Sequence, residues 1–116
     1  MRHQKKKVTL DRKVGPRTAL LMNLATSFIL YEKIKTTRAR AKATRSIVEK
    51  IITKAKLNTL VSRRAIAAML KDKNAVKKAV EVLAPRYKDR AGGFTRTTAL
   101  GNRKGDGAPE VVIEFV

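Results

Sequence analysis

From Leu20 to Leu83 apolar residues recur at three- and four-residue intervals, and beyond Phe94 they switch to alternation. Leu20, Leu24, Phe28 and Tyr31 form one stripe, with Leu21 and Met22 beside it, which predicts an amphipathic helix over residues 16–32. Pro16 suits the first turn, where a missing N–H needs no partner, and Gly15 can cap it. Ile34-Lys35-Thr36-Thr37 is mostly β-branched and predicts a short extended segment, with Thr36 or Thr37 capping the next helix. That second helix has the clearest pattern. Ala43, Ile47, Val48, Ile51, Ile52 and Ala55 make one apolar face, while Arg38, Lys42, Arg45 and Lys56 lie off it.

Asn58 and Thr59 interrupt the pattern, after which Val61, Ala65 and Met69, with Leu60, Ile66 and Leu70, predict a shorter third helix. Asn74 caps a fourth, carrying Val76, Ala79, Val80 and Leu83, and Pro85 ends it. Residues 86–93 read as a polar loop, 94–100 as a strand, 101–109 as a glycine-rich loop and 111–116 as a last strand. The two strands make a hairpin to which Ile34–Thr37 can add a third. The predicted fold class is α+β: a small sheet of about three strands packed against four helices. Phe28, Tyr31, Phe94 and Phe115 sit on apolar stripes and are assigned to the core.

Charge changes the picture at the amino terminus. Residues 1–17 hold seven cations (Arg2, Lys5, Lys6, Lys7, Arg12, Lys13 and Arg17) against Asp11 alone. Val8, Leu10 and Val14 are too few to offset an ordering cost of roughly 1–2 kcal/mol per residue. The chain therefore divides into a basic extended arm over residues 1–15 and a single domain over 16–116. Across all 116 residues, 28 Lys and Arg face 9 Asp and Glu, a formal net charge of +19. Such a surplus destabilises the isolated compact state and selects a polyanion as partner.

The same inventory excludes other classes. No cysteine and one histidine leave no disulfide framework and no metal site, and no cofactor is implied. Carboxylates are scattered singly, and Glu49 and Glu81 are expected to pair with helix-surface lysines rather than act as acid and base. There is no phosphate-binding Gly-x-x-x-x-Gly-Lys-Ser/Thr loop, so neither catalysis nor a small-molecule substrate is expected. No apolar run approaches the roughly 20 residues of a membrane span, and the opening lacks the apolar core of an export signal. A soluble, cytoplasmic protein without a membrane partner is expected.

Four segments carry a further signal: the opening MRH; IKTT followed by A-x-A-x-A-T-R; LAPRYKDRAGGFTR; and RKGDGAP-E-VVIEFV. In this order and spacing, over nearly the whole chain, they resemble the bacterial large-subunit ribosomal protein seventeen family. The opening departs from the family pattern, with Val14-Gly15-Pro16-Arg17 where a serine-rich segment is common. The resemblance implies a strand before three helices and two strands after them. It also implies a structural, non-enzymatic role: binding and stabilising large-subunit ribosomal RNA on the tunnel-exit side, beside neighbouring ribosomal proteins.

On that reading the RNA-contacting set comprises the arm (Arg2, His3, Lys5, Lys6, Lys7, Arg12, Lys13, Arg17) and the strand-to-helix junction (Lys35, Thr36, Thr37, Arg38, Lys42, Arg45). It continues with Arg63 and Arg64 on the third helix, then Arg86, Tyr87, Arg90, Gly92, Gly93 and Arg96, and finally Arg103 and Lys104. Tyr87, between Arg86 and Lys88, is the one aromatic with a claim on RNA. With aromatics at 4%, a sheet reading successive bases by stacking is not expected; phosphate contacts and RNA shape carry recognition. The rival reading is a nucleoid-type architectural DNA-binding protein, which composition alone fits equally well. A membrane-active cationic peptide is weaker, because the apolar faces are used up within the fold.

Overall fold

The computed structural model describes His3 and residues 8–116. Its elements run α1 (Val14–Tyr31), β1 (Lys33–Thr37), α2 (Arg38–Leu57), α3 (Leu60–Leu70), a fourth helix in three pieces, β2 (Thr95–Asn102) and β3 (Pro109–Phe115). The fourth helix joins α4 (Lys73–Lys78), a π-helical turn (Ala79–Leu83) and α5 (Ala84–Arg86) without a break. The sheet is antiparallel with order β1-β3-β2, so the third strand predicted from Ile34–Thr37 does join the hairpin, along β3. The α+β architecture is as the periodicity predicts.

α2 is the centre of the domain. It packs against α1, α3, α5, the π turn and all three strands. Ala41, Ala43, Thr44, Val48, Ile51, Ile52 and Ala55 face inward and carry no charge. Val48, Ile51 and Ile52 are fully buried, each worth roughly 1.5–3 kcal/mol of transfer free energy. From the sheet, Val111 and Ile113 are buried against the helices and Phe115 packs at the edge of the core, the alternation read from the sequence.

Four aromatic rings close the core beside β3. Phe28 of α1 stacks on Phe115 with centroids 4.3 Å apart and planes 5° from parallel. Tyr87 lies 5.1 Å from Phe94 and 6.1 Å from Phe115. Its hydroxyl donates to the Val116 carbonyl at 2.9 Å, and only 3% of the residue is exposed. Tyr87 is thus a core residue whose polar tip is satisfied by backbone, and it is withdrawn from the RNA-contacting set. Tyr31 is corrected in the opposite sense: it ends α1 74% exposed, because the stripe that buries Phe28 has rotated away one turn later.

Helix ends differ from expectation in instructive ways. Asp72, not Asn74, caps the fourth helix, its Oδ1 accepting from Asn74 N at 2.8 Å and Ala75 N at 3.2 Å. Pro85 does not stop that helix. Proline has no N–H to give to Glu81 four residues back, and the helix widens locally, with Ala84 N donating to Ala79 O five residues back. α3 starts on a reciprocal capping box: Ser62 N donates to Thr59 Oγ1 at 3.1 Å and Thr59 N to Ser62 Oγ at 3.0 Å. Its buried stripe is Ser62, Ile66 and Leu70, while Leu60 and Val61, part of the apolar pattern that predicts this helix, are exposed.

Glu32 ties the last turn of α1 to the rest. It ends α1 in the left-handed conformation (φ 62°), which favours glycine, yet its carboxylate takes Arg86 at 2.9 Å and Lys78 at 3.2 Å. Lys78 also donates to the Leu30 carbonyl at 2.8 Å, and Glu32 O accepts from Phe115 N at 3.3 Å. The Arg86 hydrogen bond, then Lys78, hold the Glu32 carboxyl below its ordinary 4.5 against an opposing effect of burial.

Two outcomes are expected. Ile51→Asp places an unpaired carboxylate at a site with no exposure and costs at least ~3 kcal/mol, read as a melting temperature lowered by many degrees or loss of the transition. A depressed folded-state value means that Glu32 contributes stability above 4.5 and loses it as pH falls through the folded value. Glu32→Gln is therefore less stable than the parent at neutral pH, and the two curves converge below 4.5 in denaturant melts run down the pH scale.

Candidate nucleic-acid interface

A crevice of about 650 Å³ opens between the first three turns of α2 and the hairpin. Arg38, Lys42 and Arg45 form its helical wall, and Thr97, Ala99, Gly101, Asn102, Pro109 and Val111 its sheet wall, with Glu110 at one end. The sheet wall is mostly small-chained, through Thr97, Ala99 and Gly101, and every residue of β2 from Arg96 to Asn102 is exposed. A bulge between Ala99 and Gly101 bends the strand, and Gly101 supplies the required φ of 104°. β2 also runs two residues further than predicted, taking Gly101 and Asn102 from the expected loop.

α2 begins with Thr37 extended at its N-cap and making no side-chain cap hydrogen bond. Its first N–H groups are thus left without a side-chain partner, at the end of the helix that also carries Arg38. The exposed side of α2 continues with Ser46, Lys50 and Lys54, which with Gly92 and Phe94 border a second, shallower depression of about 420 Å³. From Arg38 to Lys54 the cationic side extends roughly 24 Å at 1.5 Å per residue. Lys50 and Lys54 are absent from the set expected from the sequence, although their four-residue spacing after Lys42 and Ser46 carries the signal.

Gly92 and Gly93 have open space where a Cβ would stand, and Gly93 has φ 64°. A sugar-phosphate chain can approach the backbone closely there. Arg90 beside them lies over the Tyr87 ring at 5.6 Å, and its carbonyl accepts a hydrogen bond from Lys56 Nζ.

The other predicted residues divide by whether a carboxylate already holds them. Lys35 pairs with Glu110 at 3.2 Å, Arg96 with Glu114 at 2.8 Å and Arg86 with Glu32 at 2.9 Å. Arg103 grips Asp106 through Nε at 3.0 Å, and Asp106 also accepts from Ala108 N at 3.2 Å. This closes the glycine-rich loop into a compact turn with Lys104 exposed, and Arg103 holds Asp106 far below the usual carboxylate range. Arg45 is more loosely engaged, 3.5 Å from Glu49, whose Oε1 accepts from Thr95 at 2.9 Å. Glu49 therefore meets an arginine and a threonine rather than a lysine, and Glu81 makes no ion pair among the described residues.

Among the described residues, Arg12, Lys13, Arg17, Arg38, Lys42, Arg63, Arg64 and Lys104 form no ion pair with a carboxylate. Arg63 lines a different groove, between α3 and α4, and is not brought to the α2 crevice. Thr36 and Thr37 are half-buried where β1 meets α2. His3 is exposed, and Arg2, Lys5, Lys6 and Lys7 lie outside the described residues. At the base of the arm, Thr9 O accepts from Arg12 N at 3.1 Å, and α1 begins at Val14, two residues before the expected boundary.

The described residues contain no grouping of His, Cys, Asp and Glu suited to a metal, and no helix long and apolar enough to cross a membrane. What the arrangement offers is exposed cations facing a mostly small-chained wall that carries the Thr97 hydroxyl, which suits an extended phosphodiester.

Comparison with known proteins agrees with this chemistry. Residues 20–116 match the family described as Ribosomal protein L17. The chain is 51% identical over 107 residues to the protein named large ribosomal subunit protein bL17 of Thermoanaerobacter sp. strain X514, covering 92% of this chain and 96% of that one. It is 48% identical over 117 residues to the bL17 of Sulfurihydrogenibium sp. strain YO3AOP1, covering all of this chain and 97% of the relative. Against the bL17 of Syntrophotalea carbinolica it is 47% identical over 116 residues, all of this chain and 75% of the relative. A full-length match of this kind, on a fold whose central helix divides core from cations, shows that the chain belongs to the ribosomal protein L17 family.

Proposed function

We propose that this chain is a structural, non-enzymatic constituent of the large ribosomal subunit in the bacterial cytoplasm. It binds folded large-subunit ribosomal RNA through phosphate contacts, on the side where the nascent-peptide tunnel opens. The observation that carries the reading is the crevice in which Arg38, Lys42 and Arg45 face a small-chained hairpin wall. Each phosphate neutralised there releases condensed counterions, so affinity falls with salt by about 0.7–0.9 log units per phosphate for each tenfold rise in concentration. The small side chains of Thr97, Ala99 and Gly101 keep the crevice open to a backbone rather than to stacked bases.

The arm over residues 1–15 supplies further contacts and follows the RNA surface, and residues 16–116 act as the folded platform. Arg96, Lys35, Arg86 and Arg103 join the interface where a phosphate displaces or shares their carboxylates. Exposed ion pairs of that kind are worth only about 0–1 kcal/mol and yield readily. The four core rings are unavailable for base stacking, which supports recognition by RNA shape.

Replacing Arg38, Lys42 and Arg45 together by Ala lowers affinity for large-subunit ribosomal RNA and makes the salt dependence shallower by about 0.7–0.9 log units for each phosphate no longer neutralised. Helix content stays the same, since all three side chains are exposed. The triple change Lys5→Ala, Lys6→Ala and Lys7→Ala acts in the same direction through the arm. Filter binding across a potassium chloride series checks both, and an unaltered slope contradicts the assignment. In cells, the chain is expected to sediment with large ribosomal subunits at moderate salt; exclusive recovery with chromosomal DNA would instead establish the architectural DNA-binding reading.

A further inference from the structure

Lys56 stands apart from the other cations of α2. It is half-buried near the end of the helix, whereas Lys50 and Lys54 are exposed, and its ammonium is engaged by the protein itself. Nζ donates to the Arg90 carbonyl and lies over the Phe94 ring, 5.3 Å from its centroid. One side chain thus grips the polypeptide on both sides of Ala91-Gly92-Gly93.

Those three residues have little else to hold them. They belong to no helix or strand and make no hydrogen bond of their own among the described residues. Glycine also loses more backbone freedom on ordering than any other residue, and here two stand together. Their flanks, by contrast, are anchored: Arg90 lies over the Tyr87 ring at 5.6 Å, and Phe94 is 1% exposed in the core. The segment is a short bridge between fixed ends, and Lys56 ties those ends to each other and to α2.

What the bridge presents is backbone. Gly92 borders the same depression as Lys50 and Lys54, and a Cβ built on it would meet nothing in the protein within 4 Å. A sugar-phosphate chain drawn in by the two lysines can therefore come close to the Gly92 backbone, provided that the bridge is already set against the helix. An ammonium fastened to a loop carbonyl supplies that setting before the ligand arrives, which lowers the ordering cost of binding.

We propose that Lys56 is a positioning residue for RNA: it neutralises no phosphate, and acts by holding Ala91-Gly92-Gly93 against α2 so that the Gly92 backbone meets the strand that Lys50 and Lys54 attract. The proposal rests on the reading of the chain as an RNA-binding constituent of the large subunit.

Filter binding to large-subunit ribosomal RNA across a potassium chloride series tests it. Lys56→Met keeps the aliphatic stem and removes the donor and the charge. It should lower affinity about tenfold at every salt concentration, roughly the factor set by one residue's backbone ordering, with the parent's salt slope and a melting transition near the parent's. Replacing Lys50 and Lys54 by Ala should instead make the slope shallower, because those side chains do neutralise phosphates. Gly92→Ala should weaken binding by the parent, and weaken it much less in the Lys56→Met background, where the contact it obstructs is already lost. A shallower slope for Lys56→Met would make Lys56 a phosphate ligand, and additive losses or a lost melting transition would make its role structural only. Any of these, or an unchanged affinity, overturns the proposal. Binding by the parent that is insensitive to salt is a different failure: it overturns the functional reading itself, and this proposal with it.

Discussion

Burying one side of α2 is the constraint from which the rest of the architecture follows. The helix has uncharged residues from Ala41 to Ala55 on its inner side, and α1, α3, α5, the π turn and the sheet all lean on that side. Because the inner positions admit no charge, the cations of this helix are forced onto the opposite side and held there by a helix that cannot rotate without exposing its core. Packing and function are thus two faces of one element. The core supplies the rigidity that turns flexible lysines and arginines into a spaced array.

The carboxylates sharpen that array by where they are placed. Glu110 and Glu114 meet Lys35, Lys33 and Arg96 across the sheet, and Glu32 gathers Lys78 and Arg86 at the end of α1. Glu49 is the carboxylate on the outer side of α2, and it is shared between Arg45 and Thr95. The positive potential is therefore partly cancelled at the sheet and left strong along the helix. A fold with this imbalance gains from any anionic scaffold that approaches α2, since the scaffold relieves repulsion among the surplus charges while adding contacts of its own.

Much of this was legible from residue order. Periodicity located all four helical segments and the three strands, and it put Arg38, Lys42 and Arg45 off the apolar face, where they line the crevice that the hairpin completes. The misreadings share one cause: local pattern does not say where an element leaves the core. Tyr31 and Tyr87 exchange roles because α1 runs one turn past its packing, while the polypeptide after Leu83 turns back into it. Leu60 and Val61 fit an apolar stripe by spacing, but the stripe that packs begins at Ser62, fixed by its capping box. Which cations are neutralised internally was equally hidden, since Arg86 and Glu32 lie 54 residues apart.

The widened turn at Ala79–Leu83 does more than accommodate Pro85. Ala75, Ala79, Leu83 and Tyr87 recur every fourth residue, a spacing that would drift about 120° around a uniform helix over three repeats. A turn holding more residues per revolution takes up much of that drift, so Tyr87 arrives facing inward among the aromatic rings. The proline thereby leaves Ala75, Ala79, Leu83 and Tyr87 on one buried side through the widened turn, so a helix interrupted at its hydrogen bonds is uninterrupted in what it packs.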